Sequence, residues 1–432
     1  MFVATRIRKR FERTFAFESL ESFVGKARIS DQQTFSRVDL NGVQMTAEIA
    51  DNLQSTTISN DDQVLIEELR SQLKEELKLV PDYDERTLLR WLIGWNHSVV
   101  PRLRTALSTI SALNLTKQDF SSIEKITAYC DQITAEPTHY LPGSLLGYDL
   151  DGNIVSLQCL GKLDGPGLMS SVKISDLFVS RIAESYAVQM LLNEKERQTG
   201  RQCGTVLIID LDGLSRDNIS LKSVKVITAM LAQLQEMFPD VVRKIFIINA
   251  PIFLSTIWVL INPVLATETQ KKITFLGSDW KTKLKESIDE NILYEHWGGT
   301  RPSETSFGNV RLGGQIPTEL YYSKETDPSD ISELKEINVR ARNQAFIDVD
   351  VKGGKLKWWW KSSSGDLDFW VIRLEDERLI WPKFRLLTEF VPEVRTISIS
   401  EPGVYRLYFD NSHGLFFSKK VGYKLWTGSE AQ

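Results

Sequence analysis

The chain has 432 residues, of which 42% are apolar and 25% are charged, the balance of an ordinary globular protein. This length predicts two or three domains, and the net charge of −5 excludes a molecule built to coat nucleic acid. Cys130, Cys159 and Cys203 are far apart and match neither a disulfide framework nor a zinc motif. Their spacing favours a reducing, cytoplasmic compartment.

The first 58 residues differ from the rest in composition. Five basic side chains crowd the region between Arg6 and Arg13, and a polar stretch with weak periodicity follows. Residues 1–58 are therefore predicted to be a poorly structured basic extension. A mitochondrial transit peptide and a membrane-surface anchor are the alternatives, and Glu12, Glu18 and Glu21 weaken the first of them.

Residues 59–140 are predicted to form a helical N-lobe. Ser59 and the three residues after it are of the types that cap a helix N-terminus. An apolar stripe follows at helical spacing and consists of Leu65, Leu69, Leu73 and Leu77. Pro81 ends this helix, and Asp84 or Glu85 starts the next one.

From residue 141 to residue 302 the pattern is that of an α/β domain. An Asp-Gly turn within Tyr148–Asn153 precedes a short apolar run, which indicates a hairpin. Apolar runs then alternate with helical stretches, with strands predicted at 205–210, 244–250 and 273–276 and helices at 175–196, 221–238 and 252–266. Such alternation predicts parallel crossovers and a mixed or parallel sheet.

The run Ile245–Thr267 contains no charged residue and is long enough to cross a bilayer. Pro251 interrupts it, and a proline in mid-span would break one helix into two pieces. We therefore predict a buried strand followed by a helix that begins near Pro251, with a membrane span as the alternative.

Residues 303–333 are rich in Gly, Pro, Ser and Thr and are predicted to be a linker. Residues 334–430 alternate in polarity and are punctuated by turn pairs such as Gly353-Gly354 and Pro402-Gly403. This spacing predicts an antiparallel β-sandwich.

The patterns typical of enzymes are weak in this chain. The four histidines are scattered, and the glycine-rich stretch Gly161–Gly167 lacks the order of a phosphate loop. Asp210 and Asp212 follow a strand, where α/β enzymes place catalytic acids, but they also suit a turn before Gly213. We predict no catalytic residue and no metal site, and keep catalysis at the Asp210/Asp212 corner as an alternative.

Several stretches match the motifs of one family, namely Asp84–Leu92, Leu146–Gly152, Val206–Leu214, Met237–Asp240, Phe246–Pro251, Lys271–Gly277 and His296–Gly299. Through these motifs, residues 84–302 resemble the CRAL-TRIO lipid-binding domain of phosphatidylinositol/phosphatidylcholine transfer proteins. Glu401–Asn411 and Lys419–Val421 are similar to strands of a GOLD domain. The resemblance implies a lipid carrier with a C-terminal interaction module and does not extend to residues 1–58.

The same resemblance implies a set of lipid headgroup residues. Asp240, Thr269 and Lys272 stand where family members that hold phosphatidylinositol carry an acid and a Thr-x-x-Lys motif. Trp95 occupies the position of the family's arginine, and Asn96 replaces the adjacent lysine. Because a bidentate guanidinium is hard to replace as a phosphate partner, the sequence leaves open whether phosphatidylinositol binds.

The family places its gate helix at residues 252–266. The segment is apolar on more than one stripe, and its gate and pocket candidates are Phe253, Leu254, Ile257, Trp258, Ile261 and Leu265. A helix of this kind is either buried all round or buried on one side and lipid-facing on the other. The resemblance favours the second interpretation, and a plain core helix is the alternative.

Three consecutive tryptophans, Trp358–Trp360, lie among lysines in the predicted sandwich. Side chains alternate across a strand, so Trp359 is predicted to point outward, towards a membrane or a protein partner. The alternative is that a neighbouring strand or loop covers Trp359 while Trp358 and Trp360 enter the core.

Taken together, the sequence predicts a cytoplasmic, peripherally membrane-associated protein that holds one hydrophobic lipid behind a gate helix. A phospholipid, tocopherol and a squalene-like hydrocarbon are all compatible with it, and the bound lipid is cargo rather than a cofactor. A lipid-regulated adaptor that binds a protein partner through the GOLD-like domain is the second hypothesis.

Overall fold

The computed structural model describes residues 58–95, 99–327 and 333–428. It contains a helical N-terminal region, an α/β lobe with a mixed sheet, and a C-terminal region of antiparallel strands. This order confirms the predicted fold class. The predicted basic extension lies outside the described residues except for Ile58.

The N-terminal region consists of short helices that bury one face each. They are α1 (Asn60–Gln72), α2 (Lys74–Lys78), α3 (Glu85–Gly94), α4 (Val99–Ala112) and α5 (Ile123–Ile133). The side chains of Ser59 and Asp84 cap α1 and α3 by accepting backbone N–H bonds at 3.1 and 3.0 Å. The buried stripe of α1 passes through Ile66 and Leu69, whereas the predicted Leu65 is 45% exposed. Leu73 is 0% exposed, so only the start of the predicted stripe is wrong, where Ile66 is buried in place of Leu65.

The α/β lobe is built on a sheet of five strands in sequential order. They are β1 (Ser144–Tyr148), β2 (Ile154–Gln158), β3 (Thr205–Asp210), β4 (Val242–Ile248) and β5 (Ile273–Phe275). β1 and β2 form the predicted hairpin, and all later pairs are parallel. The Asp149 carboxylate closes the hairpin turn by accepting the backbone N–H groups of Asp151 and Asn153.

Helices connect and cover these strands, and they are α6 (Gly165–Ser171), α7 (Ile174–Thr199), α8 (Leu221–Met237), α9 (Leu254–Ile261), α10 (Thr267–Lys271) and α11 (Trp280–Lys285). The charge-free run is thus divided into β4 and α9. α9 is shorter than the predicted helix because Pro263 has no N–H to donate, and a 3₁₀ turn, Asn262–Val264, replaces its last turn. Among the residues that the structure describes, none of the helices is both long and apolar enough to cross a bilayer.

The C-terminal strands form two antiparallel sheets. The strands are β6 (Lys335–Val339), β7 (Gln344–Val351), β8 (Gly354–Ser362), β9 (Asp366–Arg373), β10 (Leu379–Leu387), β11 (Glu393–Ile399), β12 (Gly403–Asp410) and β13 (Lys419–Thr427). One sheet has the order β10-β9-β12-β7 and the other β11-β8-β13-β6. Because the strands run alternately up and down, the loops after β6, β8, β10 and β12 all lie at the same end of the sandwich.

The segment that joins the lobe to the sandwich is packed on the lobe up to Tyr322. Gly143 donates to the Arg311 carbonyl at 3.0 Å, and Tyr322 donates to the Ser170 carbonyl at 2.8 Å. Ile316 is 4% exposed, and its N–H binds the Asp164 carboxylate. The predicted linker is thus attached to the surface of the lobe over most of its length.

The sandwich packs directly against the helices of the lobe through β10. Phe178 of α7 and Phe384 of β10 stack with their centroids 5.2 Å apart, and both rings are at most 1% exposed. Ion pairs surround this contact and join Asp176 to Arg395, Lys222 to Glu389 and Lys225 to Asp366. Buried apolar side chains of the helices and of the sandwich form one continuous cluster. We infer that lobe and sandwich unfold as a unit.

The stacked pair provides a test of this coupling. We expect Phe178→Ala and Phe384→Ala each to lower the free energy of unfolding by about 3–5 kcal/mol, because each removes a fully buried ring. The double variant should lose less than the sum, since both changes delete the same contact. Phe346→Ala is the matched control, because its ring is 49% exposed on the outer face of a sheet. Denaturant unfolding followed by tryptophan fluorescence measures all four, and strict additivity would contradict the contact.

Candidate functional site

The two faces of the central sheet are covered to different extents. On β3, Val206 and Ile208 are 2% and 0% exposed, whereas Leu207 and Ile209 on the opposite face are only half-buried. This second face groups with Ile245 and with Leu254 and Trp258 of α9. A central parallel strand is normally covered on both faces. This face of the sheet is therefore only partly covered, and α9 is the helix that packs on it.

The helix that lies over this sheet face, α9, is largely apolar but is not buried. α9 contains no fully buried residue, and the six predicted gate and pocket positions, which lie on α9 and its flanks, are all half-buried. Trp258 contacts Phe275 edge-on at 5.3 Å. On the opposite side Ile252 and Val259 are 99% and 69% exposed. Ser255 and Thr256 are exposed on this same side, so α9 has an apolar side towards the sheet and a side of mixed polarity towards the solvent.

Two glutamines hold the C-terminal end of this helix. Gln235 of α8 donates to the Val264 carbonyl at 3.2 Å and accepts the Ala266 N–H at 2.7 Å. Gln270 donates to the carbonyls of Asn262 and Leu265. At the other end, Arg216 lies over the Phe253 ring at 5.7 Å. The four directional bonds make the C-terminal end the more firmly attached one.

Two of the three predicted headgroup residues form a charged cluster. Lys272 Nζ lies 3.4 Å from the Asp240 carboxylate and donates to the Val242 carbonyl at 2.6 Å. Asp240 also accepts from Arg243 at 3.1 Å and from Gln202 at 3.0 Å. Thr269 is half-buried on α10, and its carbonyl accepts the Lys272 N–H at 3.1 Å. Asp240, Thr269 and Lys272 are therefore brought to one corner of the lobe.

The electrostatics of this corner depend on partial burial. Burial lowers the pKa of the Lys272 ammonium, and the neighbouring Asp240 carboxylate opposes that shift. Asp240 itself has a left-handed backbone with a φ of 52°, which aspartate tolerates better than most side chains. An anion other than Asp240 that bound at this corner would lie near two cations, Lys272 and Arg243.

A buried ion pair that the sequence patterns did not indicate holds the backbone of the corner at Asp240. Arg90 of α3 and Glu196 of α7 are each 1% exposed and bond to each other. Arg90 also donates to the carbonyls of Asp240 and Cys203, at 2.8 and 2.6 Å. Burial raises the pKa of the Glu196 carboxyl, and the adjacent guanidinium counteracts it. Nothing near Arg90 in the sequence indicates a partner 106 residues away.

The position of the family's arginine is occupied by an aromatic ring with a cation on it. Trp95 follows α3, whose last residue, Gly94, is in close contact with Pro239. The Arg102 guanidinium lies 3.9 Å from the Trp95 ring centroid and pairs with Glu236. Asn96 lies outside the described residues. A guanidinium is therefore present beside Trp95, supplied by α4.

The Asp210/Asp212 corner has a structural explanation. The Asp210 carboxylate is 4% exposed and accepts from Asn249, from the Trp297 indole and from the Asp212 N–H, all within 3.0 Å. It joins the ends of β3 and β4 to the segment after α11. Within the described residues, no three His, Cys, Asp or Glu side chains are grouped to hold a metal ion.

Trp359 does not project outward in this structure. It is 4% exposed, groups with Trp426, and donates from its indole to Asp327 at 3.0 Å. Trp358 and Trp360 are 0% and 1% exposed in the sandwich core. The alternative prediction, in which a neighbouring segment covers Trp359, describes what is observed. The connecting segment ending at Asp327 provides this cover, which strand periodicity cannot reveal.

Parts of this chain are similar to known proteins. The family model of the CRAL/TRIO domain matches residues 138–299. The chain is 25% identical over 300 residues to CRAL-TRIO domain-containing protein F28H7.8 of Caenorhabditis elegans, covering 68% of this chain and 71% of that protein. It is 24% identical over 388 residues to protein ctg-1 of the same organism, covering 84% of this chain and 96% of that protein. The crystal structure of Sfh5 aligns with a TM-score of 0.40 and 13% identity, covering 63% of this chain and 94% of that one.

Residues 138–299 therefore form a CRAL/TRIO domain, the lipid-binding domain that the sequence motifs indicate. This domain makes lipid binding or transfer the general class of function. The C-terminal sandwich is an all-β region outside the matched residues.

The charged corner yields a stability prediction. We expect Asp240→Ala to lower the free energy of unfolding by about 1.5–3 kcal/mol, because it leaves Lys272 and Arg243 partly buried without their counter-ion. Glu268→Ala is the control, since Glu268 pairs with Lys271 on an exposed surface and should contribute no more than about 0.5 kcal/mol. Chemical unfolding of both variants measures the difference. Equal losses would contradict the special role of Asp240.

Proposed function

We propose that the protein holds one hydrophobic lipid between the half-covered face of its sheet and α9, and that α9 is a gate that opens at membranes. The observation that carries the proposal is α9 itself, a charge-free helix with no fully buried residue over a partly covered apolar sheet face. A lipid in this space would complete the cover of Leu207 and Ile209. We assign the protein no catalytic role.

The size of the hydrophobic effect determines where the gate can open. Each CH₂ moved from apolar surroundings to water costs about 0.8 kcal/mol, so two acyl chains with ~30 CH₂ groups would cost roughly 24 kcal/mol. Release into water is therefore too slow to be useful, whereas transfer into a bilayer is nearly neutral. The exposed Ile252 and Val259, beside the exposed hydroxyls of Ser255 and Thr256, give the solvent-facing side of this segment a mixed polarity that fits the membrane interface.

The attachments of α9 define a direction of opening. Its C-terminal end is held by the side-chain amides of Gln235 and Gln270, and its N-terminal end by the Arg216 contact with Phe253. We infer that the N-terminal end moves away from the sheet while the end near Val264 acts as the hinge.

The gate is tested by a charge on its inner side. We expect Trp258→Asp to abolish lipid transfer between vesicles, because the carboxylate must enter either the apolar space or the bilayer. Leu150→Asp is the control, since Leu150 is 84% exposed in the β1–β2 turn. Transfer of a fluorescent lipid is measured after thermal unfolding has shown that both variants are folded. Normal transfer by Trp258→Asp would disprove the gate.

We further propose that the corner of Asp240, Thr269 and Lys272 receives the headgroup when the cargo is a phospholipid. Lys272 and Arg243 supply cations there, and Arg102 places a guanidinium over Trp95. Arg102 is the candidate substitute for the family's missing arginine. Tocopherol and squalene-like hydrocarbons have no phosphate and would occupy only the apolar space.

Substitutions of the neighbouring Lys271 and Lys272 distinguish headgroup binding at the corner from lipid binding in the apolar pocket. We expect Lys272→Ala to lower the loading of phosphatidylinositol at least ~10-fold, the effect of losing one charge-assisted bond, and to leave the uptake of tocopherol unchanged. Lys271→Ala is the matched control, because Lys271 is exposed and pairs only with Glu268 among the described residues. Native mass spectrometry of protein incubated with vesicles measures the bound lipid. Equal phosphatidylinositol loading of both variants would exclude the corner as a headgroup site.

Native mass spectrometry of the protein as purified from cells, without incubation with vesicles, tests the carrier function. One stoichiometric lipid that co-purifies from cells would support it and identify the cargo. An empty protein that takes up no lipid from vesicles would contradict it.

A lipid-regulated adaptor is the second candidate, and α8 is the observation that favours it. α8 holds the hinge of α9 through Gln235 and contacts the sandwich through Lys222 and Lys225. A displacement of α8 on lipid binding would therefore reach the sandwich. We propose that the sandwich is a GOLD-like module; a CRAL-TRIO domain followed by a GOLD domain resembles supernatant protein factor, also called tocopherol-associated protein. Partner binding that is independent of lipid would count against this candidate.

A further inference from the structure

One end of the sandwich exposes large apolar side chains that the fold does not need. Phe416 and Phe417, in the loop between β12 and β13, are 74% and 62% exposed, and Phe390, in the loop between β10 and β11, is 39% exposed. We call these three residues the phenylalanine tip. Two consecutive side chains face away from each other along a chain, so exposure of both Phe416 and Phe417 means that their loop protrudes.

The protruding loop is held in place by its own hydrogen bonds. Asn411 is 1% exposed, and its side-chain amide donates to the carbonyls of Phe417 and Val339, at 2.9 and 3.2 Å. The Gly414 N–H donates to the Asn411 carbonyl, and the Arg342 N–H reaches the same carbonyl from the loop between β6 and β7. The two phenyl rings are thus presented to the solvent by an ordered loop. Ordered exposure of this kind is typical of a binding surface.

The loops at this end join into one surface. Gly365, between β8 and β9, donates its N–H to Glu389, the residue before Phe390. Lys419, two residues after Phe417, donates to the Asp366 carbonyl at the start of β9. The loops that carry Phe390 and Phe416 therefore both contact the β8–β9 turn.

The charged residues around the tip are mainly basic. The four loops, 340–343, 363–365, 388–392 and 411–418, contain two arginines and a histidine but only one acid, Glu389. Glu389 is paired with Lys222 of α8, so its charge is compensated. Arg340 and Arg342 are exposed, as is Lys420 at the start of β13. Exposed aromatic rings with a basic rim match an anionic membrane interface in both polarity and charge.

The tip is also connected to the gate region. Lys222, in the first turn of α8, lies over the Phe390 ring at 4.7 Å. The loop that precedes α8 carries Arg216, whose guanidinium lies over Phe253 next to the fully exposed Ile252. Exposed apolar side chains thus lie near both ends of the stretch 216–222, namely Ile252 near Arg216 and Phe390 near Lys222.

We propose that the phenylalanine tip is a second membrane-contact surface, which binds anionic bilayers independently of α9. Phe416 and Phe417 enter the interfacial region, and Arg340, Arg342 and Lys420 bind lipid phosphates or carboxylates. The surface anchors the sandwich, and through the stacked Phe178–Phe384 contact it presents the lobe to the same bilayer. A lipid pocket behind a gate does not require such an anchor, so the inference goes beyond the proposed carrier function.

The test uses the full chain and sedimentation with vesicles of phosphatidylcholine and phosphatidylserine in equal parts. We expect Phe416→Ser/Phe417→Ser to weaken binding at least ~10-fold, which corresponds to about 1.4 kcal/mol. Arg340→Gln and Arg342→Gln should each weaken it about five-fold at low salt and have little effect at high salt. Phe346→Ser is the control, because its ring is 49% exposed on the outer face of the sheet and should not matter. Unfolding midpoints establish that each variant is folded, and Phe416→Ser alone replaces the double variant if that one is not.

Several outcomes would overturn the proposal. Unchanged binding by the double variant would assign the contact to another surface, and an equal loss in Phe346→Ser would show a non-specific effect. Equal binding of the wild type to pure phosphatidylcholine would remove the anionic requirement, and binding to neither vesicle would make the tip a protein contact instead. Trp258→Asp separates this proposal from the carrier function, since it should stop lipid transfer while vesicle binding through the tip persists.

Discussion

The buried ion pair between Arg90 and Glu196 is the interaction on which the lobe depends. Removing two charges from water costs several kcal/mol each, so such a pair persists only where further hydrogen bonds satisfy it. Here the Cys203 N–H binds Glu196, and Arg90 donates to the carbonyls of Cys203 and Asp240. One guanidinium therefore determines how α3, α7, the start of β3 and the turn before β4 meet. The corner of Asp240, Thr269 and Lys272, the proposed headgroup site, depends on this turn being held in place.

A second constraint follows from the position of α8. The helix lies between the segment that contains α9 and the sandwich, and polar side chains on it reach both. Gln235 bonds to the segment after α9, whereas Lys222 and Gln233 contact Glu389 and the Lys383 carbonyl of the sandwich. The segment after α9 and the C-terminal sandwich therefore both bond to α8. A carrier and an adaptor are physically compatible in this arrangement, since any shift of α8 would change its contacts both with the segment after α9 and with the sandwich.

Membrane contact is the common requirement of the proposed functions. The free energy of moving acyl chains through water excludes a carrier that opens in solution, and the proposed gate, α9, is exposed on one side as opening at a bilayer requires. The phenylalanine tip would add a contact that does not depend on the state of the gate. Two separate contacts would hold the lobe at the bilayer for longer than either alone, as expected for linked binding sites.

The sequence by itself determined the order and type of the secondary-structure elements and the apolar character of the gate segment. These features follow from periodicity, from capping residues such as Ser59 and Asp84, and from proline at position 251, all of which act over a few residues. Motif resemblance also led to Asp240, Thr269 and Lys272, which the fold brings to one corner. The limits of local patterns are visible at Leu65, which is exposed while its neighbour Ile66 is buried, and at Trp359.

Only the tertiary structure decided the interactions between residues far apart in the chain. Arg90 pairs with Glu196 across 106 positions, Arg102 supplies a guanidinium beside Trp95, and Asp327 covers Trp359 from outside its sheet. None of these contacts has a spacing that helix or strand geometry could predict. Burial and electrostatic pairing depend on which surfaces meet after the chain has folded, and that information is not carried by any short segment.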